Sequence, residues 1–158
     1  MKSKAIMLLA AITALLTPVT VNGADEKEKP AAGKSSKVEA GPRKGRILPV
    51  GEPKAEFFVE ADMTVSIKFY DKDNKVVAPA AQTVSATIDA KAGKTKLAFE
   101  KKGDALVSTA KIPEGEANPI VVQVKTDAKA KAQNFRFKLD LSQCKGCPNP
   151  EYACTCDE

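Results

Sequence analysis

The sequence predicts an all-β protein: an antiparallel, immunoglobulin-like β-sandwich of seven or eight strands, with a small closed barrel as the alternative. Two observations carry this prediction. Apolar side chains recur at every second residue through most of the chain, which is the period of a strand with one face in a core and one in water. Turn-forming Gly, Asn, Asp and Pro separate these segments at short intervals, and no amphipathic helix lies between them.

The first segment, residues 1–24, has the layout of a secretory signal peptide. Two lysines precede an apolar run of twelve residues over 5–16, and small residues follow at Gly23 and Ala24. Such a run is too short for a permanent membrane helix, which needs about 20 residues. We therefore expect cleavage after Gly23 or Ala24, and a periplasmic or secreted protein that is not inserted in the membrane afterwards.

The rest of the chain divides into three parts. Residues 25–45 are rich in charge, Pro, Gly, Ala and Ser, which predicts a flexible linker. Residues 46–141 carry the strand pattern, and these 96 residues are enough for one compact domain and too few for two. Residues 142–158 form a cysteine-rich tail.

Eight segments of the domain are predicted as strands: RILPV, AEFFVE, TVSIKFYD, TVSATID, TKLAFEK, ALVSTAKI, PIVVQVK and NFRFKLDL. In the third, Val65, Ile67 and Phe69 are expected in the core, whereas Ser66 and Tyr70 are expected to face water. The inward residues expected in the last segment are Phe135, Phe137, Leu139 and Leu141. The domain contains no cysteine, so its core is expected to hold by packing alone.

The composition excludes several functions. The chain has no histidine, which removes the commonest general base and metal ligand, and Met63 is its only methionine beyond residue 24. A nucleophile elbow and a phosphate-binding glycine loop are both missing from the sequence. Glu56 and Glu60 are expected on a solvated face, and Asp71 and Asp73 in a polar turn rather than a calcium loop. We expect a protein that is not an enzyme.

The charge of the chain argues against nucleic-acid binding. The formal net charge is +5, and it falls to +3 when residues 1–24, with two lysines and no acid, are removed. The basic residues are scattered among acids, and the sequence contains no tryptophan. A nucleic-acid-binding domain instead concentrates its basic residues on one face.

The strongest chemical signal is the tail, SQCKGCPNPEYACTCDE, which holds the only four cysteines: Cys144, Cys147, Cys154 and Cys156. Their spacing is C-x2-C-x6-C-x-C. A C-x2-C loop lets two thiolates chelate one ion, and the spacer can fold the second pair back to complete a four-sulfur site for zinc or copper(I). Only Lys145 within the tail offsets the negative charge of such a site.

Two other interpretations of the cysteines are open to an exported protein. Thiols in an oxidising compartment usually form disulfides, and four cysteines allow three pairings. Pairing of neighbours strains the Cys154–Cys156 bridge, whereas the nested pairing, Cys144 with Cys156 and Cys147 with Cys154, is unstrained. An exchange-active CKGC pair is disfavoured, because no helix that would lower the pKa of its first cysteine is predicted.

Residues 41–79, GPRKGRILPVGEPKAEFFVEADMTVSIKFYDKDNKVVAP, are similar to a set of small exported bacterial proteins. In these a GPxGG-type opening precedes a strand-rich domain, and some occur beside heavy-metal efflux components. Here Arg43, Lys44 and Gly45 replace the usual glycine pair, and the histidines common in such proteins are missing. The resemblance implies a strand-rich fold and an association with metals, and it assigns no functional residue.

The expected function is that of an exported, non-enzymatic binding or accessory protein. Its tail would bind zinc or copper(I) through Cys144, Cys147, Cys154 and Cys156, and its partner would be a protein of the cell envelope. The alternative is a disulfide-stapled structural or protein-interaction module without a metal.

Overall fold

A computed structural model of the protein describes residues 37–115 and 117–156. The predicted signal peptide and residues 25–36 of the predicted linker lie outside the described residues. The end of that linker packs on the domain: the Ile47 N–H donates to the Glu39 carbonyl at 2.8 Å, and Ala40 forms a β-bridge with Arg46. The described part of this segment is therefore packed on the domain and is not a flexible linker.

Nine antiparallel strands make up the described domain: β1 (Arg46–Leu48), β2 (Lys54–Val59), β3 (Val65–Tyr70), β4 (Val76–Val77), β5 (Thr83–Ala90), β6 (Gly93–Lys102), β7 (Ala105–Ser108), β8 (Asn118–Lys125) and β9 (Gln133–Leu139). This confirms the predicted class. The additional strand is β4, a two-residue pairing with the end of β3 that is too short to show a period in the sequence.

The strand order defines the sandwich. Neighbouring strands follow the order β1-β2-β3-β7-β6-β5-β8-β9. From β2 onward this matches an immunoglobulin-like fold, in which strands A, B, E and D form one sheet and strands C, F and G the other. Strand β6 belongs to both sheets, because residues 93–98 pair with β5 and residues 99–102 pair with β7. The sheet therefore bends around the core along β6 and is barrel-like.

Apolar side chains from both sheets form one core. The largest of those that are fully buried are Phe57, Phe69, Leu48, Ile67, Ile88, Leu97 and Ile120. The predicted inward set of β3, Val65, Ile67 and Phe69, is buried as expected. Burial of apolar surface is the main stabilising term in such a domain.

The opposite face of β2 and β3 is buried too, which corrects the prediction for three residues. Ser66, Tyr70 and Glu56 are at most 3% exposed, although all three were expected to face water. The cause is the loop over 41–45, which folds across this face. The Glu56 carboxylate accepts hydrogen bonds from the backbone N–H groups of Arg43 (2.9 Å) and Gly45 (3.0 Å).

The second oxygen of the Glu56 carboxylate also accepts a hydrogen bond. The Tyr70 hydroxyl donates to Glu56 Oε2 at 2.9 Å, and burial together with this bond raises the pKa of Tyr70. The Arg43 guanidinium stacks on Phe58 and donates to Glu60 at 2.6 Å. A buried charge is tolerated only when it is bonded in this way.

This packing explains the GPRKG sequence. A Cβ at Gly41 would collide with the Glu56 side chain, and a Cβ at Gly45 would collide with the backbone of Phe57. Lys44, at the place of the first glycine in the GPxGG pair, has a φ of 66°, in the left-handed region that favours glycine. The opening is therefore a structural cap on the sheet.

Two further predictions concern local features. The Asp71 carboxylate accepts from the N–H groups of Asp73 and Lys75 at 2.9 Å each, which confirms the polar turn. Leu141 was expected inside but is 40% exposed, because β9 ends at Leu139 and the chain then turns into the tail. Among the described residues no helix is long and apolar enough to cross a membrane.

Candidate metal centre

The tail packs on the end of the sandwich. After β9 the chain turns back, and the Tyr152 N–H donates to the Asp140 carbonyl at 3.0 Å. The Tyr152 ring is 3% exposed and meets Phe57 edge to face, with 5.7 Å between the ring centroids. Its hydroxyl accepts from the Val59 N–H at 3.3 Å. The segment that carries the last two cysteines is thus fixed to the core through Tyr152.

The first two cysteines lie in a closed loop. Gln143 and Pro150 form a β-bridge, and the Cys144 N–H donates to the Asn149 carbonyl at 3.0 Å. The Gln143 side chain donates to the carbonyls of Cys147 and Asn149 at 3.0 Å each. These bonds hold the C-x2-C segment in a tight turn.

A short 3-10 helix, Glu151–Ala153, connects this loop to the last two cysteines. The Cys154 N–H donates to the Glu151 carbonyl at 3.1 Å, and the chain leaves the helix extended at Cys154. The six-residue spacer therefore reverses the chain direction, as the sequence predicts, and brings Cys154 and Cys156 back to the first pair.

The four sulfur atoms form one cluster, and all of them lie within 4.8 Å of one another. The Cys144 Sγ is 2.7 Å from that of Cys154 and 3.8 Å from that of Cys156, and the sulfurs of Cys147 and Cys154 are 3.8 Å apart. Zn–S bonds of about 2.3 Å in a tetrahedron place the sulfurs about 3.8 Å apart. Two of these separations already have that value, so the cluster could hold a thiophilic ion.

None of the four cysteines is in a disulfide. The sulfurs of the predicted nested pairs, Cys144 with Cys156 and Cys147 with Cys154, are 3.8 Å apart in both cases. The closest pair is instead Cys144 and Cys154, and their 2.7 Å is longer than the about 2.0 Å of a disulfide bond. The geometry does not select the nested staple.

Hydrogen bonds give the thiols of Cys147 and Cys154 different pKa values. The N–H groups of Thr155 and Asn149 donate to the Cys147 sulfur and lower its pKa to about 6. The hydrogen bond with Cys144 raises the pKa of Cys154 to about 12. Since the thiolate is the form that binds a metal, the lowered pKa of Cys147 favours its metal-binding form.

The cysteines also differ in exposure, from the buried Cys144 through the half-buried Cys147 and Cys154 to the exposed Cys156. Gly146 allows Cys156 to approach, because a Cβ at Gly146 would lie 2.7 Å from the Cys156 sulfur. The glycine in CKGC is therefore required by the close contact of the two halves of the tail.

A cleft of about 670 Å³ lies beside the cluster, and Cys144, Cys154 and Cys156 are on its wall. Its basic lining residues are Lys37, Arg46, Lys138 and Lys145, and its acidic ones are Asp140 and Glu151. In the sequence only Lys145 stands among the cysteines. Lys37 and Arg46 are far from them in the chain and Lys138 precedes the tail on β9, so no local pattern places these residues together.

Comparison of the chain with protein-family models, with curated proteins and with solved structures finds no match. The cysteine cluster and its surroundings are therefore the features that indicate a function.

Proposed function

We propose that the protein is an exported, non-enzymatic accessory protein that binds one thiophilic metal ion through Cys144, Cys147, Cys154 and Cys156. The observation that carries this proposal is the meeting of four unbonded sulfurs within 4.8 Å, in a tail that is fixed to a folded domain. A prearranged site loses less conformational entropy when it binds its ion than a flexible peptide would.

We propose zinc as the first candidate ion and copper(I) as the second. Sulfur separations of 3.8 Å suit a zinc tetrahedron, and the closest pair, Cys144 and Cys154, would have to separate by about 1 Å to complete it. Zinc bound by four thiolates carries a net negative charge. Arg46, Lys138 and Lys145 on the adjoining cleft supply compensating positive charge. Copper(I) is also selected by soft thiolates.

Native mass spectrometry of the reduced protein with added zinc tests the proposal. We expect one zinc ion per chain, and we expect the Cys147→Ser variant to lose most of its affinity while the sandwich stays folded, since Cys147 is outside the core cluster. Thr155→Ser, between the last two cysteines, is the matched control and should bind like the parent. The same titration with copper(I) shows which of the two ions binds more tightly.

The competing function is a disulfide-stapled module. It predicts that protein isolated from an oxidising compartment has the mass of two disulfides and retains no ion after gentle purification. That result would overturn the metal site, and a retained ion would overturn the staple.

Export is a separate part of the proposal, and it is supported by the N-terminal pattern of two lysines, an apolar run and small residues. Cell fractionation followed by intact-mass measurement tests it. We expect the mature protein in the periplasm or medium, starting after Gly23 or Ala24. A full-length protein in the cytosol would contradict export without affecting the metal site.

A further inference from the structure

The cleft beside the cysteines is much larger than the site of a single ion. Its volume of about 670 Å³ falls in the range of about 300–1,000 Å³ that is typical of small-molecule sites. The cluster forms one part of its wall, so a molecule in the cleft can contact a bound ion directly.

The charges of the lining favour an anion. Four basic side chains face two acidic ones, which leaves an excess of two positive charges. The Asp140 carboxylate accepts from the Ser142 hydroxyl at 2.6 Å and lies 3.7 Å from the Lys138 ammonium group, so these two opposite charges offset each other. Positive charge concentrated in a cleft raises the local concentration of anionic ligands.

Arg46 is held in place by two contacts. Its Nη1 donates to the Tyr152 carbonyl at 3.1 Å, and its guanidinium group stacks on the Phe137 ring at 4.7 Å. Lys138 and Lys145 are exposed and lie on β9 and in the cysteine loop, respectively. The cleft therefore combines one positive charge that is held by the domain with two exposed ones.

Cys156 is the cysteine best placed to exchange its bond to the ion. It is the most exposed of the four and lies on the cleft wall, whereas Cys147, which accepts two backbone hydrogen bonds, does not line the cleft. Cys144 is buried.

We propose that the metal ion enters and leaves through this cleft as a complex with a small anionic ligand, a carboxylate-bearing chelate, which exchanges with Cys156. This inference rests on the proposed function. On entry the Cys156 sulfur bonds to the ion as one donor atom of the chelate leaves it, and the other three cysteine sulfurs then replace the remaining donor atoms in the same way. Each sulfur that starts as a thiol gives its proton to water, the free chelate leaves as an anion, and nothing is oxidised or reduced.

Zinc loading from two chelates of opposite charge tests the proposal. Zinc nitrilotriacetate is a net anion, and zinc tris(2-aminoethyl)amine is a net cation. We expect the Lys138→Gln/Lys145→Gln variant to load from the anionic complex about three- to tenfold more slowly than the parent, and from the cationic complex faster. Added salt should reduce both differences.

Lys94→Gln/Lys96→Gln on β6 is the matched control, because it removes the same charge from exposed positions that do not line the cleft. We expect its rates to stay close to those of the parent. The cleft would not be the entry route if the loading rates changed equally in the two double variants. The same conclusion would follow if the Lys138→Gln/Lys145→Gln variant changed the rates in the same direction with both complexes.

The Cys156→Ser variant tests whether Cys156, and not one of the other three cysteines, exchanges with the chelate. We expect it to keep a weakened zinc site but to lose the preference for the anionic complex. If Cys147→Ser and Cys156→Ser alter the loading rates identically, the assignment of Cys156 is wrong. Failure of the parent protein to retain any zinc at equilibrium would overturn the proposed function itself. Retention with rates that are independent of cleft charge would overturn only this inference.

Discussion

The guanidinium group of Arg46, on the first strand, donates a hydrogen bond at 3.1 Å to the carbonyl of Tyr152, between the two cysteine pairs. This contact joins residues that are 106 positions apart in the chain. It ties the cysteine tail to the sandwich and places a positive charge on the cleft beside the sulfurs. The tail and the domain are therefore expected to respond together to mutation.

The docking of the tail is tested at Tyr152. Tyr152→Ala removes a buried ring that packs on Phe57, and it should lower the free energy of unfolding by about 3–5 kcal/mol. Tyr152→Phe removes only the acceptor for the Val59 N–H and should cost about 1 kcal/mol. Urea unfolding measures both, with Val76→Ala, at a 45% exposed position, as the control. If Tyr152→Ala lowered the free energy of unfolding no more than the control does, the tail would not be docked on the core.

The thiol pKa values predict an order of alkylation in the metal-free, reduced protein. Cys147, with a pKa of about 6, should react with iodoacetamide at pH 7 roughly a hundredfold faster than Cys154, whose pKa is about 12, because its larger thiolate fraction outweighs its lower intrinsic nucleophilicity. Its rate should fall as the pH drops below about 6, because the thiolate is then protonated. Peptide mass spectrometry at several pH values measures this order, and equal rates would contradict the hydrogen bonds to Cys147.

Gly146 should be necessary for the metal site but not for the fold. In Gly146→Ala the new methyl group would lie 2.7 Å from the Cys156 sulfur and push it away from the cluster. We expect zinc affinity to fall by about tenfold or more, in the range seen when groups that orient metal ligands are removed. Pro148→Ala, at an exposed position of the same loop, should leave the affinity unchanged. Competition with a chromophoric chelator measures the affinity.

Glu56 should be a stabilising residue although its carboxyl group is buried. Glu56→Ala leaves three donors without a partner, the N–H groups of Arg43 and Gly45 and the Tyr70 hydroxyl, and should cost about 3 kcal/mol or more. Glu56→Gln keeps an acceptor and should cost less. Glu39→Ala, which removes only an exposed ion pair with Lys54, should change stability by less than about 1 kcal/mol. Zinc stoichiometry should be the same in all three variants.

Lys44 should be replaceable by glycine with a gain in stability. Its φ of 66° costs an L-residue about 1–2 kcal/mol, and part of that is recovered in Lys44→Gly. We expect a rise of about 1 kcal/mol in the free energy of unfolding, after the greater entropy of the unfolded glycine chain is subtracted. Lys72→Gly, in an exposed turn without a positive φ, should destabilise or have no effect. A loss of stability in Lys44→Gly would contradict this account of the GPxGG-type opening.

The strands were predictable because their signal is local. Alternation of Val65, Ile67 and Phe69 is a property of a few adjacent residues, and it places one face in the core whatever the partner strand is. The burial of Ser66 and Tyr70 on the opposite face was not predictable, because it depends on the loop over 41–45 returning across β2 and β3. The two-residue β4 is too short to have a period at all.

The sequence by itself determined the β class, the four candidate ligands and the reversal of the chain between Cys147 and Cys154. Each of these depends on composition, period or spacing, which are properties of residues close together in the sequence. Only the tertiary structure decided that Tyr152 docks the tail on the core, that the four sulfurs meet unbonded, and that Arg46 reaches the cleft beside them. The physical reason is distance along the chain. Contacts between residues far apart in sequence are set by how the sheets pack, and packing leaves no periodic trace in the residues that meet.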